Sequence, residues 1–521
     1  MRKLRSIIKS FGLLVALGVL ASCSTTKQAV KLASYESLIP VTEQSIIIST
    51  NIAQVKSKIS SDTQSTLNTF LNLALGADEN LRWVSMLTNN PESTGLNTAK
   101  NVYYIAYPIS VEKISHAIYL PLNDIAKFEK FLFSEIQLDQ SKISEVAGLK
   151  YYPIDTELHL FYNNAIVSFV SSKEFFEIMA GSSKSLAASS LTTVKGANDL
   201  AISYTYDGMV ALIKKLGKPS LNSLFAGNPL ATSSSSALNF ELGEIVFEQE
   251  NYDATGKSDG TFNKALSLLK PVSGRFSKKI AKDPYFYGLM GMKGDGFMDL
   301  VESVLKAQGV NLERESKKEM LNVCKSFLNN VDGDVLFAVS DFSVGFSGVS
   351  IDGSLFIEGD AAKMFDVVLE NMPKNLITTL EKNKMDIVVD KVKMTIGTHD
   401  GFFYATTNDD IARNPGAVKS VNLTDSRYYK KGKSVAHGSF DVKAILNNPL
   451  VKLALAQQKS SKDATTKELL EFLNGMDYMC SESTIADDVI NTKSKIVIDQ
   501  KSPNTLTVLI DMIVRIVLAS K

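Results

Sequence analysis

Cysteine, tryptophan and histidine are scarce: three, one and four residues in 521. Three cysteines cannot staple a chain of this length, so a disulfide scaffold is excluded and a hydrophobic core must hold the fold. The histidines, His116, His159, His399 and His437, are far apart and form no His-Glu-x-x-His helix, so a zinc protease has no visible ligands. They read as surface or strand residues. Neither charge is in excess, with 56 Lys+Arg against 56 Asp+Glu. No overall field is available to recruit nucleic acid or anionic lipid. Trp83 is the one tryptophan, a thin supply for the flat aromatic platforms of sugar sites.

What is present begins with the leader. Met1–Ser10 carries Arg2, Lys3, Arg5 and Lys9 with no acid, and Phe11–Leu20 is almost wholly apolar. That is the layout of a secretory signal; ten apolar residues fall well short of the ~20 that span a bilayer. Leu20-Ala21-Ser22-Cys23 then resembles the lipobox of bacterial lipoproteins. The resemblance implies cleavage after Ser22 and a diacylglyceryl group on the Cys23 sulfur. One acyl chain binds a membrane only reversibly, so two or three make the anchor durable. Ser24 stands where aspartate resembles an inner-membrane retention signal, which points to the outer membrane. No acidic residue occurs over 25–31, which favours the periplasmic face over the cell surface.

Loss of the leader removes four basic residues and leaves a mature charge near −4. A hydrophobic content of 45% with 21% charged residues describes a folded chain, long enough for more than one core. An internal repeat shows how it is divided. "NDIAKFEKFLFSEI" (123–136) aligns with "GDAAKMFDVVLENM" (359–372) at an offset of 236, with Asp124 and Asp360 as helix caps. Apolar residues follow at helical spacing, Phe128, Leu132 and Ile136 in one and Met364, Val368 and Met372 in the other. The same offset carries 164–176 onto 400–412, and an offset of 234 carries 200–213 onto 434–446. One order kept at nearly one offset argues for duplication.

The expected architecture is α+β: two tandem related domains, each a largely antiparallel sheet with packed amphipathic helices. The expected bounds are a signal peptide over 1–22, a lipid-anchored tether over 23–34, a first domain over 35–275 and a second over 276–521. Pro271, Gly274 and a lysine cluster make 270–283 read as a linker. The serine-rich pieces at 181–191 and 231–237 read as surface loops. The apolar tail "TLTVLIDMIVRIVLASK" reads as a docked amphipathic helix, with Asp511 and Arg515 one turn apart; its counterpart in the first half is "TFNKALSLLK".

In "LTNNPESTGLNTAKNVYYIAY" (87–107), Asn90, Pro91, Thr94, Gly95 and Val102 match an Asn-Pro-x-x-Ser/Thr-Gly turn that precedes a strand. With the lipobox, Leu38-Ile39-Pro40 and the two-half length, the chain resembles an uncharacterised family of Bacteroidetes lipoproteins, a domain of unknown function of about 500 residues. The resemblance carries no catalytic residues.

Other motifs stay bland. "GFSGVS" (345–350) lacks the spacing of a nucleophile elbow. "GMKGDGF" (291–297) reads as a turn, and "DATGKSDG" (253–260) misses calcium-loop spacing. "RYYKKGK" (427–433) mixes aromatic and basic residues and reads as a solvated loop ahead of a nucleic-acid or lipid-headgroup patch. Cys324 and Cys480 are either bridged, which a loop of this length makes worth ~4 kcal/mol, or lone thiols. The half without cysteines favours the latter. No cofactor, metal or nucleic acid is expected. Two functions remain: a non-enzymatic envelope lipoprotein that binds or scaffolds an envelope protein, or a glycan binder or hydrolase, which requires facing carboxylates about 5–10 Å apart.

Overall fold

The computed structural model describes residues 35–65, 86, 90–110, 113–146, 148–172, 184–215, 233–253, 261–307, 315–345, 348–389, 392–429, 432–458, 464–499 and 503–519. The leader, Cys23, the tether and Trp83 lie outside them. The fold is α+β with antiparallel sheet throughout, as expected from the closely spaced strands.

The described residues fall into two compact units. The first holds residues up to 215 together with 233–247 and 503–519, and the second holds 248–253 and 261–499.

In the first unit the strands are β1 (Ile46–Asn51), β2 (Asn101–Ser110), β3 (Lys113–Pro121), β4 (Ser144–Val146), β5 (Leu149–Pro153), β6 (His159–Tyr162), β7 (Ile166–Val170), β8 (Leu200–Thr205) and β9 (Ser233–Glu241). They pair in the order β9-β8-β1-β2-β3-β7-β6-β5-β4. β10 (Glu244–Tyr252) follows β9 across Leu242-Gly243, where Gly243 has φ +75°. In the second unit, β11 (Phe286–Lys293), β12 (Val331–Gly345), β13 (Gly348–Gly359), β14 (Ile377–Glu381), β15 (Lys384–Val389), β16 (Val392–His399), β17 (Phe402–Thr406), β18 (Ala436–Phe440), β19 (Met476–Ala486) and β20 (Val489–Ile498) pair in the order β20-β19-β18-β11-β12-β13-β17-β16-β15-β14. From β9 and β19 inward, the two orders are the same.

Central strands of each sheet send side chains into cores on both faces, which explains why they read as nearly continuous apolar runs. In β2, Tyr103, Ile105 and Tyr107 enter one core while Val102 enters the other. In β11, Tyr287 and Leu289 face one core while Met292 enters the other. The aspartates read as caps do cap. Asp124 accepts from the Lys127 N–H at 3.0 Å ahead of α1 (Ile125–Lys130), and Asp360 from the Lys363 N–H at 3.2 Å ahead of α2 (Ala361–Asn371).

Two local readings are corrected. Residues 270–283 are no linker: Phe276 and Ile280 are fully buried, and the Asp334 carboxylate accepts from the Ser273 and Arg275 N–H groups at 2.9 and 3.0 Å. Ser233–Ala237 form not a surface loop but part of a buried strand. Their hydroxyls are small enough to pack in the ladder, and Ser203 and Ser235 hydrogen-bond across it at 2.8 Å. The piece at 181–191 is a surface loop in its described part, held at one end. Lys184–Ser185 pair with Pro40–Val41, and Leu186 is buried.

Candidate functional site

The groups able to do chemistry are used for packing. His116, His159 and His437 sit on β3, β6 and β18, each with Nδ1 on a tyrosine hydroxyl, from Tyr104 at 2.6 Å, Tyr151 at 3.0 Å and Tyr287 at 3.0 Å. Burial lowers the pKa of His116 and takes that of His437 down to about 4, against a weaker opposing pull from Asp334. Both imidazoles are neutral at pH 7. His399 ends β16 and meets the ring of Phe402 edge-on. Among the described residues, no group of three or more His, Cys, Asp or Glu side chains is placed to hold a metal.

The remaining motifs resolve in the same way. In "GMKGDGF", Gly291–Lys293 complete β11, and the turn that follows delivers Phe297 to α3 (Phe297–Ala307). "GFSGVS" straddles residues 346–347, and "DATGKSDG" lies almost wholly outside the described residues. The described part of "RYYKKGK" is no solvated loop. Tyr428 is buried, Tyr429 packs edge-on against His437, and the Arg427 guanidinium makes a two-pronged contact with Asp477 at 2.6 and 2.9 Å while lying over the Tyr478 ring. Its charge is thereby neutralised rather than offered to a polyanion. Cys324 is exposed on the helix Glu315–Leu328, Cys480 is half-buried on β19, and both are thiols.

The Asn-Pro-x-x-Thr-Gly turn is structural too. Asn90 caps the 3-10 turn Pro91–Thr94, Thr94 is buried, and Gly95 has φ +87°. The Gly95 carbonyl accepts from the Asn123 and Asp124 N–H groups at 2.9 and 3.1 Å. A Cβ on Gly95 would stand 2.2 Å from the Asp124 carbonyl oxygen. The turn is a seat for the cap of α1.

What remains open is a face of the second sheet. Phe286, Gly288 and Met290 alternate with Tyr287 and Leu289 along β11, so they point away from the Tyr287 core. Phe286 pairs with Phe440, and Phe440 with Met479; Gly288 pairs with both Phe337 and Gly438. Phe337, Phe440 and Met479 are 44%, 41% and 40% exposed, well above what apolar strand residues show when covered. The rings of Phe286 and Phe337 lie 5.7 Å apart, and the Phe286 ring leans over Gly288. The result is an apolar trough with two facing glycines as its floor. Gly438 is needed for the close approach of β18, because a Cβ there would stand 2.6 Å from the Tyr287 carbonyl oxygen.

The first unit closes the equivalent face. Tyr204, Ile46, Ile202, Ile48 and Tyr104 occupy the register positions of Phe440, Phe286, Gly438, Gly288 and Phe337, which corrects the offset of β18 from β8 to 236. Isoleucines fill the floor, and the helix Tyr206–Lys215 packs on β2 and β3, leaving Ile46 buried. After β18 the chain instead forms a short helix, Val442–Asn447, that packs on β19, and then the helix Pro449–Gln458, which touches β12 but leaves Phe337 and Phe440 exposed. No sequence motif marks the trough, because its residues meet only across the sheet.

No curated protein matches the chain. Among solved structures, two crystal forms of TP0453 match with 10% identity and a TM-score of 0.25, covering 46% of this chain and 85% and 86% of theirs. A likeness this weak bears on neither fold nor activity. The family comparison is decisive, since one model spans residues 35–506, the same stretch that carries the two sheets: the chain belongs to the family defined by the domain of unknown function DUF4836.

Proposed function

We propose that this protein is a bacterial envelope lipoprotein, of the Bacteroidetes type its sequence resembles, that binds a partner protein rather than turning over a substrate. Cys23 carries the lipid after cleavage behind Ser22, and the mature chain sits on the periplasmic face of the outer membrane. The charged leader, the ten-residue apolar stretch and the lipobox support that address.

The observation that carries the binding role is the open trough of Phe286, Phe337, Phe440 and Met479. Contiguous exposed apolar surface on a folded protein marks an interaction site, and aromatic residues and methionine are the enriched contacts of interface cores. Its four apolar side chains offer no hydrogen bond, and the polar neighbour beside the floor, Ser481 opposite Gly438, is engaged by the Ser494 hydroxyl at 2.9 Å, whereas a sugar needs polar partners beside its aromatic platform. The trough therefore favours the protein partner over the glycan reading.

Photo-crosslinking in intact envelopes tests this. A benzoylphenylalanine at position 337 is expected to give a discrete adduct, and the same group at the exposed Leu380 is not. Gly288→Ile, which gives the floor the residue found in the first unit, is expected to abolish the adduct while leaving the fold intact. Equal labelling from both positions, or an adduct indifferent to Gly288→Ile, sinks the proposal.

A further inference from the structure

The last helix of the chain lies in the first unit. α4 (Thr505–Ala519) buries Leu506, Ile510 and Val514 with Val55, and Ile59 and Phe240 pack around them. Polar contacts fix its register. The Thr507 hydroxyl donates to the Lys58 carbonyl at 3.2 Å and accepts from the Ser60 N–H at 3.1 Å, and the Thr63 hydroxyl donates to Asp511 at 2.9 Å. The Thr505 hydroxyl donates to the Glu241 carbonyl at 2.9 Å.

The helix at the matching place after β10, Thr261–Leu268, lies in the second unit. Ala265 and Leu268 are buried with Leu300 of α3, and Lys264 stands 3.8 Å from Asp299. The receiving positions correspond as well. Val55 belongs to the helix Ile52–Ser57 that follows β1, and Leu300 to α3, which follows β11.

We infer that the chain is a swapped dimer carried on one polypeptide: two repeats of one fold have exchanged their terminal helices, and neither unit is complete without the other's. Two independent features agree on this, the identical strand order and the reciprocal placement of the helices. Simple tandem duplication accounts for the first alone, because it leaves each terminal helix on its own sheet. In a swapped pair the acceptor surface of each repeat is an interface for the helix of a second copy, here fused in series.

The consequence is crossed destabilisation, read by hydrogen exchange on the full-length chain. Ile510→Asp puts a carboxylate in the Val55 cluster. It is expected to raise exchange at least tenfold over 46–57 and 233–241 and to leave β19 and β20, which immediately precede α4, unchanged. Leu268→Asp is expected to raise exchange over 286–307 and leave β8 and β9 unchanged. Should either variant fail to fold, Ile510→Ala and Leu268→Ala give a smaller change with the same readout. Protection lost in the strands that precede the altered helix, or lost evenly over both units, overturns the inference.

Discussion

Gly95→Ala is the sharpest test of how the first unit is held together. Gly95 sits at φ +87°, a conformation that costs an L-residue about 1–2 kcal/mol. The added methyl would also stand 2.2 Å from the Asp124 carbonyl oxygen. That neighbour is backbone and cannot swing aside, and forced overpacking costs roughly 1–3 kcal/mol more. The two effects together amount to a destabilisation of roughly 2–5 kcal/mol, or a fall in Tm of about 5–15 °C for a unit of this size. Urea titration followed by circular dichroism measures the first figure, and hydrogen exchange over 123–130 localises it to the cap of α1. Gly95→Asn separates the causes, since asparagine tolerates positive φ but still carries a Cβ. The clash account expects Asn to be nearly as damaging as Ala. A Gly95→Ala protein within 0.5 kcal/mol of wild type would refute the reasoning altogether.

Further perturbations probe other parts of the molecule. Lys58 bridges the buried Asp199 at 2.9 Å and Glu241 at 3.0 Å; Lys58→Met strands the Asp199 charge and is expected to cost about 3–5 kcal/mol in urea titration, an outcome a cost below 1 kcal/mol excludes. The folded-state pKa of His437 is depressed from 6.5 to about 4, so its contribution is intact above pH 6.5 and lost as pH falls toward 4, on the order of 3 kcal/mol. His437→Gln is expected to flatten the stability profile in that window relative to wild type, and parallel profiles would count against it. Cys23→Ser is expected to release the protein from membranes and abolish incorporation of labelled palmitate, whereas equal labelling of the variant removes the lipid anchor from the account.

The features legible in the sequence were those set by neighbours along the chain. Asp124 and Asp360 announce their helices because a cap bonds three residues ahead, and the Asn90–Gly95 turn announces itself by its own chemistry. Composition misled where burial depends on one or two side chains. Residues 270–283 carry the proline, glycine and lysines of a linker, yet Phe276 and Ile280 anchor them in a core. A serine run signals exposure until the partner strand is known, and the Ser203–Ser235 pair exists only in the ladder. Gly288 and Gly438, 150 residues apart, gain meaning only by facing each other. The placement of α4 was equally hidden, since an apolar stripe records that a helix docks and not on which sheet.

The position of α4 also sets an order in which the exported chain can complete its units. Residues 35–247 are exported ahead of the helix that covers Val55, with 248–504 between them. Until those residues have followed, Val55 and Phe240 have no permanent cover, and the unit that is begun first is the one finished last.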